Sequence, residues 1–157
     1  MFRAILRNSY ADVKALIESG EDVNQVFSTS GSRPIHFACS LGRTELVALL
    51  IESGADVHTK TEKGKTPFAI ACRMGRCETV ELLLQHGVDP NIGYPLGDAI
   101  YFNRVEVVRK LLKIGVKVQQ SGRLCPPKIK SLLNRLKLIH LVTILPGDLV
   151  LHVAGYM

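Results

Sequence analysis

Three prolines in this chain open similar strings, and a glycine stands 20 residues after each. Pro34, Pro67 and Pro95 lead to Gly54, Gly87 and Gly115. Pro34 and Pro67 lie 33 residues apart. Gly20 and Ala4 each stand 34 residues before their counterparts, Gly54 and Ala38, so a further unit begins the chain. A repeat of this length describes one supersecondary unit that cannot bury its apolar side alone. Such units are stable only when stacked on their neighbours. The chain is thereby constrained to like-oriented layers.

The logic within a unit can be read residue by residue. Proline suits the first position of a helix, where no amide donor is needed. The short helix it opens carries small residues, Ala38 and Ala71, that let neighbouring layers approach. Gly42 and Gly75 then stop it, because the residue after a helix favours positive φ. In the next unit Asn103, the second-best residue for that conformation, takes the same place. A second helix follows, with Leu46, Leu49 and Leu50, or Val80, Leu83 and Leu84, at three-to-four spacing. Asp56-Val57-His58 and Asp89-Pro90-Asn91 begin extended turns toward the next unit. The interval from glycine to the following proline is 14 after Gly20, 13 after Gly54 and 8 after Gly87. The third turn is therefore expected to have a truncated finger.

The strings GSRPIHFACSLGRTELVALLIESGADVH and GKTPFAIACRMGRCETVELLLQHGVDPN resemble the ankyrin repeat family. The resemblance covers residues 1–119 and implies an all-α solenoid of about four helix pairs, with short β-hairpin turns between them. The units are expected at 1–30, 31–63, 64–92 and 93–119. The resemblance gives His36 a structural role, hydrogen-bonding between turns. It also implies that the first helices and turn fingers line a concave face. Two positions before each helix stop then form a ladder: Leu6 and Arg7, Ser40 and Leu41, Arg73 and Met74, Tyr101 and Phe102. Leu41, Arg73, Met74, Tyr101 and Phe102, with Lys60 and Lys65 from the turns, are the expected contacts to a target protein. Phe27, Glu62 and Tyr94 would rim the same surface. The competing reading is that Leu6, Leu41 and Phe102 simply pack between units.

Composition narrows the function. There is no Trp and aromatic residues are 6%, so the core must come from Leu, Ile, Val and Ala. Residues 101–157 hold 10 Lys/Arg against 2 Asp/Glu, whereas residues 1–100 hold 10 against 12. The basic end lacks a dense run or interleaved aromatics, which points to a solvated or partner-binding face rather than to nucleic acid. Leu138 to Tyr156 is apolar, but Pro146-Gly147 interrupts it, so buried helical segments are expected and no membrane span. The four cysteines form no C-x-x-C pair, and no secretory leader pattern is present. Free thiols, a reducing compartment and a cytoplasmic or nuclear location follow. Catalytic, cofactor and metal motifs are lacking: Cys72 and Cys77 are poorly spaced for zinc, and no phosphate loop or nucleophile elbow occurs.

Beyond Gln120 the repeat stops. Proline can open a helix at Pro126 or Pro127 carrying Ile129, Leu132, Leu133 and Leu136, and Asp148 can cap a last short one. Residues 120–157 resemble the SOCS box that follows ankyrin repeats in a class of ubiquitin-ligase adaptors. That resemblance implies docking to elongin B/C through Leu124, Cys125 and Ile129, and to a cullin through Ile144, Leu145 and Pro146. The sequence departs from the box at Ser121, where the box has Leu, and at Pro126-Pro127 after the cysteine. The implied function is a substrate-recognition adaptor of a cullin–elongin E3 ubiquitin ligase, monomeric by itself and not an enzyme. The alternative is a stand-alone ankyrin protein-interaction scaffold, with residues 120–157 as a helical cap.

Overall fold

The computed structural model describes residues 1–116. It holds eight helices in chain order: α1 Phe2–Arg7, α2 Tyr10–Glu18, α3 Pro34–Leu41, α4 Thr44–Glu52, α5 Pro67–Met74, α6 Cys77–Gln85, α7 Pro95–Tyr101 and α8 Val105–Lys113. They form four antiparallel-type pairs, each a short first helix and a nine-residue second helix.

Local chemistry sets the bounds. Pro34, Pro67 and Pro95 begin α3, α5 and α7. The Thr66 hydroxyl accepts the Ala69 amide at 3.2 Å at the start of α5, and His36 Nδ1 accepts the Arg33 amide at 3.1 Å at the start of α3, whereas α7 has no side-chain cap. A left-handed residue follows every first helix: Asn8 at φ 56°, Gly42 at 70° and Gly75 at 74° directly, and Asn103 at 57° one residue beyond Phe102, which caps α7. Glycine reaches that conformation freely and Asn at modest cost, which is why only those two residue types occupy the slot.

The pairs stack through two rows. First helices α1, α3, α5 and α7 touch in sequence, as do second helices α2, α4, α6 and α8. Contact is denser along the first-helix row, so the stack is drawn together on that side. Small residues make this possible: Ala38, Ala71 and Ala99 are fully buried between first helices, and Ala4 nearly so. The rest of the core comes from both helices of every pair, including Ile5, Ile35, Leu46, Leu50, Phe68 and Leu83. Burying such side chains stabilises by roughly 1.5–3 kcal/mol each.

The expected β-hairpin turns do not form strands among the described residues. Each finger is closed by one backbone bond across its base, Phe27 amide to Ser32 carbonyl at 2.8 Å and Thr61 amide to Lys65 carbonyl at 3.0 Å, the second reinforced by the Lys65 amide donating to Thr61 Oγ1 at 3.2 Å. Between those positions lie only a tight turn and Gly31 or Gly64 at positive φ, too few residues for a ladder. A single bond, Glu62 amide to Ser30 carbonyl at 2.9 Å, joins the two fingers. The third connector is short, as its residue count requires, and Tyr94 enters α7 in the left-handed region at φ 62°.

A turn of Asp form recurs between pairs. Asp22, Asp56 and Asp89 each accept the amide two residues on, at 2.8, 2.8 and 2.9 Å. Those bonds hold the Asp89 carboxyl below the usual carboxylate range. Asn24 staples the first turn to the second: its Nδ2 donates to the Gly54 carbonyl and its Oδ1 accepts the Asp56 amide, both at 2.9 Å.

Candidate protein-binding face

Each first helix buries one side and leaves three residues, spaced i, i+3 and i+4, on the other. These triplets are Arg3-Leu6-Arg7, Phe37-Ser40-Leu41, Ile70-Arg73-Met74 and Asp98-Tyr101-Phe102. Because the first helices stack in one row, the triplets are successive steps on one face. Leu6, Met74 and Tyr101 are the most open apolar members, at 46%, 40% and 56% exposure.

The anticipated contact residues separate into four kinds. Arg73, Tyr101 and Phe102 come together: the Arg73 guanidinium lies 4.5 Å over the Phe102 ring, which meets Tyr101 edge-on at 5.0 Å. Met74 and Lys60 are exposed. Lys65 is engaged within the fold instead. Its ammonium pairs with Asp98 at 2.5 Å, donates to the Gly93 carbonyl at 3.2 Å and lies 5.7 Å from the Tyr94 ring. Leu41 is half-buried and packs on the core, so for this residue the packing reading fits. At the other end of the row, Phe2 packs edge-on against Phe37 at 4.6 Å and tilts toward Phe27 at 6.4 Å. Leu124, Cys125, Ile129, Ile144, Leu145 and Pro146 lie outside the described residues.

Sequence reading missed the groups that fix the spacing of the row. Arg76 Nε donates to the Ser40 carbonyl at 3.1 Å, and Arg104 Nε to the Arg73 carbonyl at 2.9 Å. Each arginine lies back across the helix stop of the preceding pair. A Cβ on Gly42 would stand 2.7 Å from Arg76 Cδ, and one on Gly75 would stand 2.8 Å from Arg104 Cδ. Glycine here thus serves two needs, positive φ and room for the arginine. Arg43 is the third such residue, but the stop before it is Asn8, and Arg43 Nε is buried without a partner. The signal was present in the sequence as Gly42-Arg43, Gly75-Arg76 and Asn103-Arg104.

His36 is 2% exposed. Burial above all, with nearby Arg33 adding to it and the backbone of Thr59 and Lys65 and the Asp56 carboxylate opposing, brings its pKa down to about 4. A neutral ring is required, since Nδ1 accepts a backbone amide. Its Nε2 is buried without a direct hydrogen bond. Cys39 and Cys72 are free and buried, with thiols pushed up by desolvation, so they are inert packing groups. Among the described residues no group of three or more His, Cys, Asp or Glu could hold a metal ion. No described helix is long and apolar enough to cross a membrane.

The ankyrin repeat family matches residues 1–94 in three copies. The chain belongs to the ankyrin repeat family. Its role is accordingly protein–protein interaction. The fourth helix pair lies beyond the matched stretch, where the shortened connector and the Asn103 stop depart from the pattern of the other pairs. Over 64 residues, 41% of this chain, it is 37% identical to the 2-5A-dependent ribonuclease of Mus musculus. It is 39% identical over 54 residues to ankyrin repeat domain-containing protein 40 of Mus musculus and of Homo sapiens. These matches span 9% and 15% of the relatives' own lengths. The likeness to the ribonuclease lies in its ankyrin part alone.

Proposed function

We propose that the first-helix face is where this ankyrin chain holds its protein target. Arg73, Met74, Tyr101 and Phe102 make the central contacts, Leu6 extends them and Lys60 edges the surface, while Leu41 and Lys65 support the face from within the fold. The observation carrying this is the register of the four triplets, which sets open apolar, aromatic and guanidinium groups side by side. Met, Tyr, Phe and Arg are the residue types that interfaces favour. Tyr101→Asp and Arg73→Glu should each weaken capture of a co-purifying protein while leaving the thermal midpoint unchanged. Retention of all partners by both variants would refute the assignment.

The array is taken to run over residues 1–119, with residues 120–157 as a separate module. Two roles for that module follow. In the first, Leu124, Cys125 and Ile129 dock elongin B/C, and Ile144, Leu145 and Pro146 meet a cullin, making the chain a ligase adaptor. It then acts by raising the local concentration of target near the ligase. The support is the order and spacing of those residues at the SOCS-box-like positions. In the second, the module caps the last helix pair of a stand-alone scaffold. Co-expression with elongins B and C decides: recovery that is lost on Leu124→Asp supports the adaptor, and no recovery leaves the scaffold.

A further inference from the structure

The first-helix side and the second helices α2, α4 and α6 differ in charge, while α8 carries Arg109, Lys110 and Lys113 against Glu106, with Lys110 paired to Glu81 and Arg109 to Glu106. On α2, α4 and α6 the exposed acids are Asp12, Glu18, Glu45, Glu52, Glu78 and Glu81, and the one base is Lys14, paired with Glu18 at 3.8 Å. The first-helix side has the opposite sign. Arg3, Arg7, Lys60, Lys63 and Arg73 are exposed and make no ion pair among the described residues. The acids on that side are Glu62 and Asp98, and Asp98 is already neutralised by Lys65. Residues 1–100 carry more Asp/Glu than Lys/Arg, so this positive face is made by placement and not by composition.

We infer that the segment held on this face is an acidic polypeptide stretch bearing apolar side chains, laid across the first helices from Arg3 toward Tyr101. The inference rests on the protein-binding reading above. Complementary charge steers such a partner in and excludes basic ones. Of the open apolar groups on this face, Leu6 and Met74, which lie between the cations, are aliphatic and suit side chains of a peptide, and Tyr101 at the far end is the open ring. A single-stranded nucleic acid carries the same charge but gains affinity by stacking bases on aromatic faces. Here Phe102 is covered by Arg73, and Phe2 packs on Phe37.

The test uses the full 157-residue chain. A displayed library of random 12-residue peptides is selected on the immobilised protein, and the enriched peptides are remade with a fluorescent label. Selected sequences should be rich in Asp and Glu with interspersed Leu, Met or aromatic residues. Their binding should weaken about tenfold or more between 0.05 and 0.5 M salt. Arg7→Glu combined with Arg73→Glu should weaken them by about tenfold or more and redirect a repeat selection toward Lys-rich peptides. A labelled 12-nucleotide oligouridylate should bind more weakly than the enriched peptides. Enrichment of neutral or basic peptides that still depend on Tyr101 would overturn the charge inference and keep the binding face. Tighter binding of the oligonucleotide would overturn it in favour of nucleic acid. No enrichment of any peptide would overturn the protein-binding reading as well.

Discussion

Replacing Asn8 with glycine should stabilise this protein, and the reason lies in another residue. Arg76 and Arg104 lie across glycine or its neighbourhood and donate to the carbonyl two residues before the helix stop, at Ser40 and Arg73. The corresponding acceptor for Arg43 is the Leu6 carbonyl. Asn8 carries the Cβ that Gly42 and Gly75 lack, and at those sites a Cβ would come within 2.8 Å of arginine Cδ. Arg43 Nε consequently stays buried and unpaired. Giving a guanidinium this hydrogen bond contributes about 1.5 kcal/mol. Relief of the left-handed conformation at φ 56° contributes roughly 0.5–1 kcal/mol. The greater freedom of glycine in the unfolded chain costs about as much again. The net gain is therefore about 1.5 kcal/mol, and with about 3 °C per kcal/mol for a chain of this size the thermal midpoint should rise by about 4 °C. Urea unfolding of Asn8→Gly in the native background and in Arg43→Met isolates the term. The gain should nearly vanish when Arg43 is Met. Equal gains in both backgrounds, or no gain in the native one, would show that Asn8 is not what keeps Arg43 from its carbonyl.

The converse change, Gly75→Ala, should destabilise by about 1–2 kcal/mol in chemical denaturation, because it strains a residue at φ 74° and displaces Arg104. Phe68→Ala should cost about 3–5 kcal/mol by the same measurement, since its side chain is 1% exposed in the middle of the stack. Acid should weaken the fold through His36. The unfolded chain takes up a proton near pH 6.5, while the folded protein resists it down to about pH 4. The contribution is complete above about pH 6.5 and is lost as pH falls toward 4, at most about 3 kcal/mol. A pH series of unfolding midpoints should show that slope, and His36→Gln should flatten it.

The fold was legible because its punctuation is chemical. Pro34, Pro67 and Pro95 mark helix starts and Gly42 and Gly75 mark stops, each for a backbone reason that holds wherever the residue sits. The fingers were less legible: a count of residues allows a hairpin but does not say how many cross-turn bonds will form. The face was half legible. Register alone brings Arg73, Tyr101 and Phe102 together. Lys65 looked like a free rim charge because its partner, Asp98, is 33 residues away and close only through the shortened connector. The arginines after the helix stops escape a sequence reading, since nothing about a lone arginine announces which carbonyl it will cross to.

The stacked architecture has a mechanical corollary. Among the described residues, no side-chain hydrogen bond joins positions more than 36 apart, so every tie is to the next storey. Such a tower has no keystone. Its outer storeys can come loose while the middle, held from above and below, stays shut. Amide exchange in α3 to α6 should be slower than in α1 or α8. A loss at one end should leave the opposite end's guest-holding surface standing.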